Sequence, residues 1–162
     1  GALPALRLLP GLQRHHRVTA PPTRIAGFPA RAVRCDAAGV DVFVVDDLEA
    51  LVDRAALLRD ADIPEPPYWA HLWVGSRALA RHLAASPRRF ARAIDLGCGV
   101  GLAGLVAARR GARTTFLDYA PAALEFVRAS AVRNGLGADL VVGDLRRPPV
   151  RTSFDLCLAA DA

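Results

Sequence analysis

Short apolar runs separated by amphipathic stretches fill the second half of the chain, and this pattern predicts an α/β domain. Residues 93–96 form an apolar run that is too short for a helix and is typical of a buried strand. Residues 102–110 then predict a helix. Two further apolar runs, residues 114–118 and 140–144, each end in an aspartate and predict a second and a third strand. Residues 154–161 predict a fourth strand.

Helices between the predicted strands make parallel pairing possible. A helix that begins at Pro121 and ends at Asn134-Gly135 separates the second strand from the third, because proline suits a first helical turn and glycine suits a helix end. Strand–helix–strand repeats of this kind predict a doubly wound parallel sheet with a Rossmann-like topology. In such a sheet the fourth strand lies on the other side of the first. A crevice opens where the strand order reverses.

The first half of the chain predicts an extension placed before this sheet. Residues 31–35 and 40–45 alternate apolar and polar positions around a turn at 36–39, which is typical of a β-hairpin. Residues 48–59 predict an amphipathic helix, and Ser76 is expected to cap another helix that reaches about Ala85. The chain thus divides into an Arg- and Pro-rich flexible tail (1–30), a hairpin and helix extension (31–67) and a cofactor-binding domain (68–162).

Three glycines after the first core strand mark the place where a ligand would bind. Gly97, Gly99 and Gly101 alternate between strand and helix, so the chain can turn tightly and a ligand can approach bare backbone. Asp118 follows about 20 residues later, where a carboxylate can accept hydrogen bonds from both hydroxyls of a ribose. Asp144 repeats the pattern on the third strand. The alternative interpretation of these aspartates is that they are ordinary helix caps or turn residues.

The sequence Asp95-Leu-Gly-Cys-Gly-Val-Gly101, taken with the two downstream acids, resembles the S-adenosyl-L-methionine site of class I methyltransferases. Upstream lies the aromatic segment, residues 67–73, with the sequence Pro-Tyr-Trp-Ala-His-Leu-Trp. It is similar to a segment of a small subfamily of protein-lysine methyltransferases that act on proteins such as the electron transfer flavoprotein and chaperones. Many methyltransferases share the glycine motif, whereas the aromatic segment is more specific. The resemblance covers roughly residues 62–162.

The resemblance implies S-adenosyl-L-methionine as the cofactor and assigns residues to it. Asp144 would accept a hydrogen bond from the adenine amino group, Ala160 would lie beside the adenine, and Trp73 would lie at the sulfonium end. Tyr68 and Trp69 either line the same end or pack beneath the next helix. The implied cofactor-binding set is Trp73, Asp95, Gly97, Cys98, Gly99, Gly101, Asp118, Asp144 and Ala160.

The resemblance also implies an in-line transfer of a methyl group to a neutral nucleophile. Asp161 is the one candidate catalytic residue, because a carboxylate at the end of the fourth strand could orient an acceptor amine and take its proton. Its alternative role is a helix cap or turn residue. The expected acceptor is a protein side chain, with Lys favoured, or a small-molecule amine. The resemblance also implies a sheet with more strands than the four predicted here, so we expect the chain to be truncated after its first four core strands.

Two other function classes stay open at this point. Residues 99–104 also fit the Gly-x-Gly-x-x-Gly pattern of an NAD(P)-binding oxidoreductase, in which Asp118 would hold the nicotinamide cofactor's ribose. Asp95, Asp144 and the aromatic segment favour the methyltransferase. The third possibility is a non-catalytic binding protein that retains the fold, since a fold alone does not fix a function.

The net charge of +5 is unevenly distributed, which argues against nucleic acid as a partner. Residues 1–34 contain six Arg and no acid, whereas the rest of the chain contains 15 Arg and 16 acids. The basic excess therefore belongs to the tail. We expect a solvated tail and a cytoplasmic protein; the alternative is an organellar targeting segment, because such segments are Arg-rich and poor in acids.

The cysteine spacing and the hydropathy pattern argue against a metal site and against a membrane span. The three cysteines, at positions 35, 98 and 157, lack the spacing of a metal site and are typical of small buried thiols in a reducing compartment. We expect no bound metal. No apolar run reaches the length of a membrane span, so we expect no membrane association.

Overall fold

The computed structural model describes residues 23–48 and 67–160 and contains two sheets packed on a common set of helices. The first sheet is antiparallel, and the second is parallel. Single 3-10 turns lie at Asp36–Ala38 and Tyr68–Ala70. In chain order the other elements are β1 (Thr23–Ile25), β2 (Phe28–Cys35), β3 (Val40–Val45), α1 (Val74–Ala85), β4 (Arg92–Leu96), α2 (Leu102–Arg109), β5 (Arg113–Asp118), α3 (Pro121–Asn134), β6 (Asp139–Val142) and β7 (Leu156–Ala159).

The parallel sheet has the strand order β6-β5-β4-β7, which confirms the doubly wound, Rossmann-like prediction. The strand β4 pairs with β5 on one side and with β7 on the other. The order therefore reverses at β4. Because β4 and β5 are covered on both faces, five consecutive residues of β5 are buried, from Thr114 to Asp118. The crevice predicted for this fold lies beyond the carboxyl ends of these central strands.

The structure corrects two local predictions on the parallel sheet. The third strand ends at Val142, so Asp144 lies beyond it in a turn. Ser76 does not cap α1, because the helix begins at Val74 and Trp73 holds the N-cap position. Ser76 lies inside the first turn, where its hydroxyl donates to the Trp73 carbonyl oxygen at 3.0 Å. A serine hydroxyl often bonds to a nearby carbonyl within its own helix, and it then no longer serves the helix start.

The antiparallel sheet contains the predicted hairpin and one further strand. The strands β2 and β3 pair over six positions, and β1 adds to the other edge of β2. Residues 23–30, which the sequence analysis assigned to the tail, form β1 and the beginning of β2. The rest of the tail, residues 1–22, lies outside the described residues. So does the predicted helix at 48–59, apart from residue 48.

Side chains of α3 complete the hydrogen bonding of the β3 edge. The amide of Phe43 donates to Ser130 Oγ at 2.9 Å, and the amide of Asp41 donates to Asn134 Oδ1 at 3.0 Å. The Asn134 side-chain amide donates back to the Asp41 carbonyl oxygen at 2.6 Å. An open strand edge is a template for pairing with other chains. These bonds occupy backbone groups of that edge and hold the hairpin on α3.

Replacing Ser130 by alanine tests this edge. Ser130 is completely buried, and its hydroxyl also donates to the Phe126 carbonyl oxygen at 2.8 Å. Ser130→Ala leaves the Phe43 amide without its acceptor, so we expect the free energy of unfolding in urea to fall by about 1–3 kcal/mol. Glu125→Ala on the exposed face of the same helix is the control and should change it by less than about 0.5 kcal/mol. Equal stability of the two variants would contradict this role for Ser130.

Candidate cofactor site

A cavity of about 400 Å³ lies at the carboxyl ends of β4 and β5 and beside the end of β7. The aromatic segment and the beginning of α1 form one wall. Residues 97–100 of the glycine turn (residues 97–101) form the floor together with Asp95 and Asp118. The cavity thus occupies the switch point of the sheet, where ligands of doubly wound proteins bind.

Asp118 fixes the geometry of the glycine turn. It ends β5, is 3% exposed, and accepts a hydrogen bond from the Gly99 amide to Oδ2 at 2.9 Å. Its other oxygen accepts from the Ala120 amide at 2.9 Å, immediately before α3. The Cys98 amide adds a bond to the Leu117 carbonyl oxygen at 3.1 Å. Each carboxylate oxygen can accept more than one hydrogen bond, so Asp118 retains capacity toward the cavity.

Asp95 is a second buried carboxylate at the same floor. It lies in β4, is 2% exposed, and accepts a hydrogen bond from the Gly104 amide at 2.8 Å. Burial raises the pKa of Asp95 to about 7, and the neighbouring Asp118 charge acts in the same direction. The Gly104 bond opposes this change because it stabilises the ionised form. A cation entering the cavity would likewise favour ionised Asp95.

Glycine is required in the turn because protein atoms crowd its positions. A Cβ on Gly99 would lie 2.9 Å from the Trp69 carbonyl oxygen, and one on Gly101 would lie 2.7 Å from a Val127 methyl carbon. At Gly104 a Cβ would overlap the Phe116 ring and lie 2.8 Å from Asp95 Oδ2. The turn is therefore packed closely against the aromatic segment, β5 and α3.

All four aromatic rings of the aromatic segment line the cavity, but they differ in burial. Trp69 is half-buried and packs between two other aromatic rings, whereas Tyr68, His71 and Trp73 are exposed. The Trp73 indole N–H donates to the Tyr68 carbonyl oxygen at 3.0 Å. Its ring lies edge-on to His71, with 4.6 Å between centroids. These contacts hold Trp73 at the rim of the cavity.

Seven of the nine residues expected to bind the cofactor line this cavity. They are Trp73, Asp95, Gly97, Cys98, Gly99, Asp118 and Ala160. Gly101 instead faces Val127 and Phe116, as described above. Burial beside two carboxylates raises the pKa of the Cys98 thiol well above its usual range, so this cysteine stays protonated at neutral pH. The candidate catalytic residue, Asp161, lies outside the described residues.

Asp144 is not among the residues that line the cavity. It is exposed, and Arg146 binds its carboxylate with an Nη2–Oδ2 distance of 2.7 Å. This hydrogen bond lowers the pKa of Asp144. The adjacent Leu145 lines the cavity instead. Arg146 of the same turn thus holds the Asp144 carboxylate away from the cavity lining.

Sequence reasoning did not select His71, Tyr119 or Leu145, all of which line the cavity. Tyr119 follows Asp118 directly at a strand end, and that position alone could have identified it. His71 could have been found by its place in the aromatic segment. Leu145 lies in the loop after β6; Gly143 and Asp144 indicate a turn there, but they do not indicate which side chain reaches the cavity.

The cavity suits a ligand that has a diol, a positive charge and an apolar ring. Asp118 offers carboxylate oxygens for hydroxyl groups, Asp95 offers a counter-charge, and Trp73 and Tyr119 offer aromatic surface. Residues 23–48 and 67–160 contain no group of three or more His, Cys, Asp or Glu arranged to hold a metal ion. Within the same two ranges, no helix combines the length and hydropathy that crossing a membrane would require.

Comparison with known proteins identifies the fold and the family of this region. The sequence model of the family described as methyltransferase small domain matches residues 68–160. The chain is 40% identical over 73 residues to the electron transfer flavoprotein beta subunit lysine methyltransferase of Xenopus laevis, covering 43% of the chain and 30% of that protein. It is 36% identical over 105 residues to a ribosomal RNA small subunit methyltransferase C of Ectopseudomonas mendocina, covering 60% and 31% respectively. The chain thus spans about a third of the length of these relatives.

A solved structure supports the fold assignment. The 16S rRNA N2 G1207 methyltransferase of T. thermophilus, in complex with AdoMet and guanosine, aligns with a TM-score of 0.55. The alignment covers 86% of this chain and 34% of that one, at 20% identity. At this identity the likeness concerns the fold alone.

Replacing Gly104 by alanine tests the packing of the first turn of α2 against β4 and β5. The new methyl group would collide with Phe116 and Asp95, so we expect a loss of about 1–3 kcal/mol in the free energy of unfolding. Gly137→Ala is the matched control, because a Cβ there meets nothing within 4 Å. We expect that control to leave stability unchanged or raised by up to about 1 kcal/mol. A Gly104→Ala variant as stable as the control would contradict close packing of α2 on the sheet at this position.

The raised pKa of Asp95 predicts a pH dependence of stability. The folded state holds the Asp95 proton more tightly than the unfolded state, whose pKa is about 3.9. The stabilisation that protonated Asp95 gives the folded state is fully present below pH ~4. It is lost as the pH rises toward about 7, by at most about 1.4 kcal/mol per pH unit. The wild type should therefore lose stability relative to Asp95→Asn across this window and run parallel to it above pH ~8. Urea unfolding at several pH values measures the free energy of unfolding of the wild type and of Asp95→Asn. A constant difference between the two proteins at every pH would contradict the raised pKa.

Proposed function

The chain belongs to the methyltransferase small domain family, and on that premise we propose that it forms the cofactor-binding part of an S-adenosyl-L-methionine-dependent N-methyltransferase. One observation carries the proposal. Asp118 and the glycine turn are locked together at the switch point of the sheet, under a wall of exposed aromatic rings. This arrangement matches the diol, cation and apolar ring of S-adenosyl-L-methionine better than it matches an electrically neutral or anionic ligand.

The proposed roles follow from the chemistry of each side chain. Asp118 accepts hydrogen bonds from the ribose hydroxyls, Asp95 faces the ammonium group, and Trp73 presents its ring toward the sulfonium end. An aromatic face next to a cation contributes roughly 0.5–2 kcal/mol. S-adenosyl-L-methionine, when bound, supplies an electrophilic methyl group to a neutral nucleophile. Holding the reacting atoms in line is then the main task of the chain, and such positioning can account for about 7–11 kcal/mol of a barrier.

We propose a protein Lys side chain as the acceptor. The support is the similarity to the Xenopus protein, whose name gives a lysine of the electron transfer flavoprotein beta subunit as its target. The relative named for ribosomal RNA makes an RNA amine the second candidate, so our expectation that nucleic acid is not a partner stays a prediction. Asp161 as the residue that orients the acceptor amine, Asp144 as an adenine ligand and a cytoplasmic location are likewise proposals.

An NAD(P)-dependent oxidoreductase is not favoured. Its glycine pattern is present at residues 99–104, but the family match, the relatives and the buried Asp95 all favour the methyltransferase. Two buried carboxylates would also repel the phosphates of a dinucleotide.

Calorimetric titration with S-adenosylhomocysteine and, separately, with NAD tests the proposal. We expect the full chain to bind S-adenosylhomocysteine and not NAD. Asp118→Asn, which keeps the shape of the side chain, should weaken binding at least about tenfold, since it removes a charged acceptor. Asp36→Asn makes the same chemical change at an exposed carboxylate and should leave affinity unchanged.

Two outcomes would contradict the proposed function. Binding of NAD in preference to S-adenosylhomocysteine would reverse the choice of cofactor. Equal binding by Asp118→Asn and the wild type would remove Asp118 from the site. The acceptor class is tested separately, by incubating the protein that carries this chain with labelled S-adenosyl-L-methionine and either a lysine-containing protein or ribosomal RNA.

A further inference from the structure

Three aromatic rings join the N-terminal sheet to the aromatic segment. Trp69 lies between Phe28 at the beginning of β2 and Phe126 of α3, with ring centroids 5.5 and 5.4 Å apart. The Phe28 ring meets Trp69 edge-on, at an interplanar angle of 79°, which is a favoured geometry for aromatic pairs. Phe126 is completely buried. The Trp69 ring is therefore held from two sides by elements that do not line the cavity.

The backbone of the same tryptophan touches the glycine turn. A Cβ on Gly99 would lie only 2.9 Å from the Trp69 carbonyl oxygen, so the two backbones are in close contact. The next residue, Ala70, is 2% exposed, and its amide donates to the Pro67 carbonyl oxygen at 2.9 Å. Trp69 and Ala70 thus anchor the middle of the aromatic segment, while Tyr68, His71 and Trp73 face outward.

We propose that Trp69 and Phe28 are positioning residues for the cofactor site. The ring stack fixes the Trp69 backbone, whose carbonyl oxygen packs closely against Gly99. The Gly99 amide in turn donates a hydrogen bond to Asp118. In this way the N-terminal sheet, which lines none of the cavity, sets the position of the glycine turn and of Trp73. The inference rests on the proposed function, because it concerns affinity for the same cofactor.

Phe28→Ala tests this link without touching the cavity. Loss of one partner of the stack should weaken S-adenosylhomocysteine binding about threefold to tenfold, the range that an aromatic pair contributes. Phe28→Tyr keeps the ring and should restore affinity to within about twofold of the wild type. Phe90→Ala is the matched control, because Phe90 is also half-buried but lies before the amino end of β4, at the opposite end of the strand from the cavity. It should lower thermal stability and leave affinity unchanged.

Hydrogen exchange gives a readout that needs no ligand. In Phe28→Ala the amides of residues 97–101 should exchange faster than in the wild type, whereas in Phe90→Ala they should not. Wild-type affinity and wild-type exchange in Phe28→Ala would overturn the inference. If the wild type itself fails to bind S-adenosylhomocysteine, the proposed function fails, but the exchange rates still decide whether the ring stack holds the glycine turn.

Discussion

The hydrogen bond from the Gly99 amide to Asp118 is the constraint on which the rest of the site depends. Gly99 follows β4 and Asp118 ends β5, and parallel pairing of these two strands brings the partners together. The other oxygen of Asp118 holds the Ala120 amide at the beginning of α3. One buried carboxylate thus fixes the glycine turn, the end of a strand and the beginning of a helix.

The same bond explains the electrostatic character of the cavity. Both oxygens of Asp118 accept from backbone amides, and parallel pairing of β4 with β5 brings Asp95 close to it. Burial is the main reason that the pKa of Asp95 rises to about 7, and the negative charge of Asp118 adds to the effect. A cationic ligand relieves the repulsion between them. The site is therefore adapted to a cation before any ligand arrives.

Much of the parallel sheet could be predicted from the sequence, because buried strands are apolar throughout and glycine and proline mark helix ends. The predicted helix from Pro121 to Asn134 matches α3 in the structure. Long-range contacts could not be predicted. Ser130 Oγ accepts a hydrogen bond from the Phe43 amide, which is 87 positions earlier in the chain, and no local pattern indicates that bond. Likewise the sequence does not show which of two tryptophans turns inward, since that depends on Phe28 and Phe126. For Asp144 the sequence permits either a strand end or a turn residue, and its hydrogen bonds with Arg146 hold it in the turn.

The position of the cofactor site can be measured directly from the amide NMR spectrum of the labelled chain during titration with S-adenosylhomocysteine. We expect the largest chemical-shift changes at residues 97–101 and 118–119 and in the aromatic segment. The hairpin residues 31–45 should change little. Saturable changes centred on the hairpin, with the glycine turn unaffected, would show that the ligand binds elsewhere.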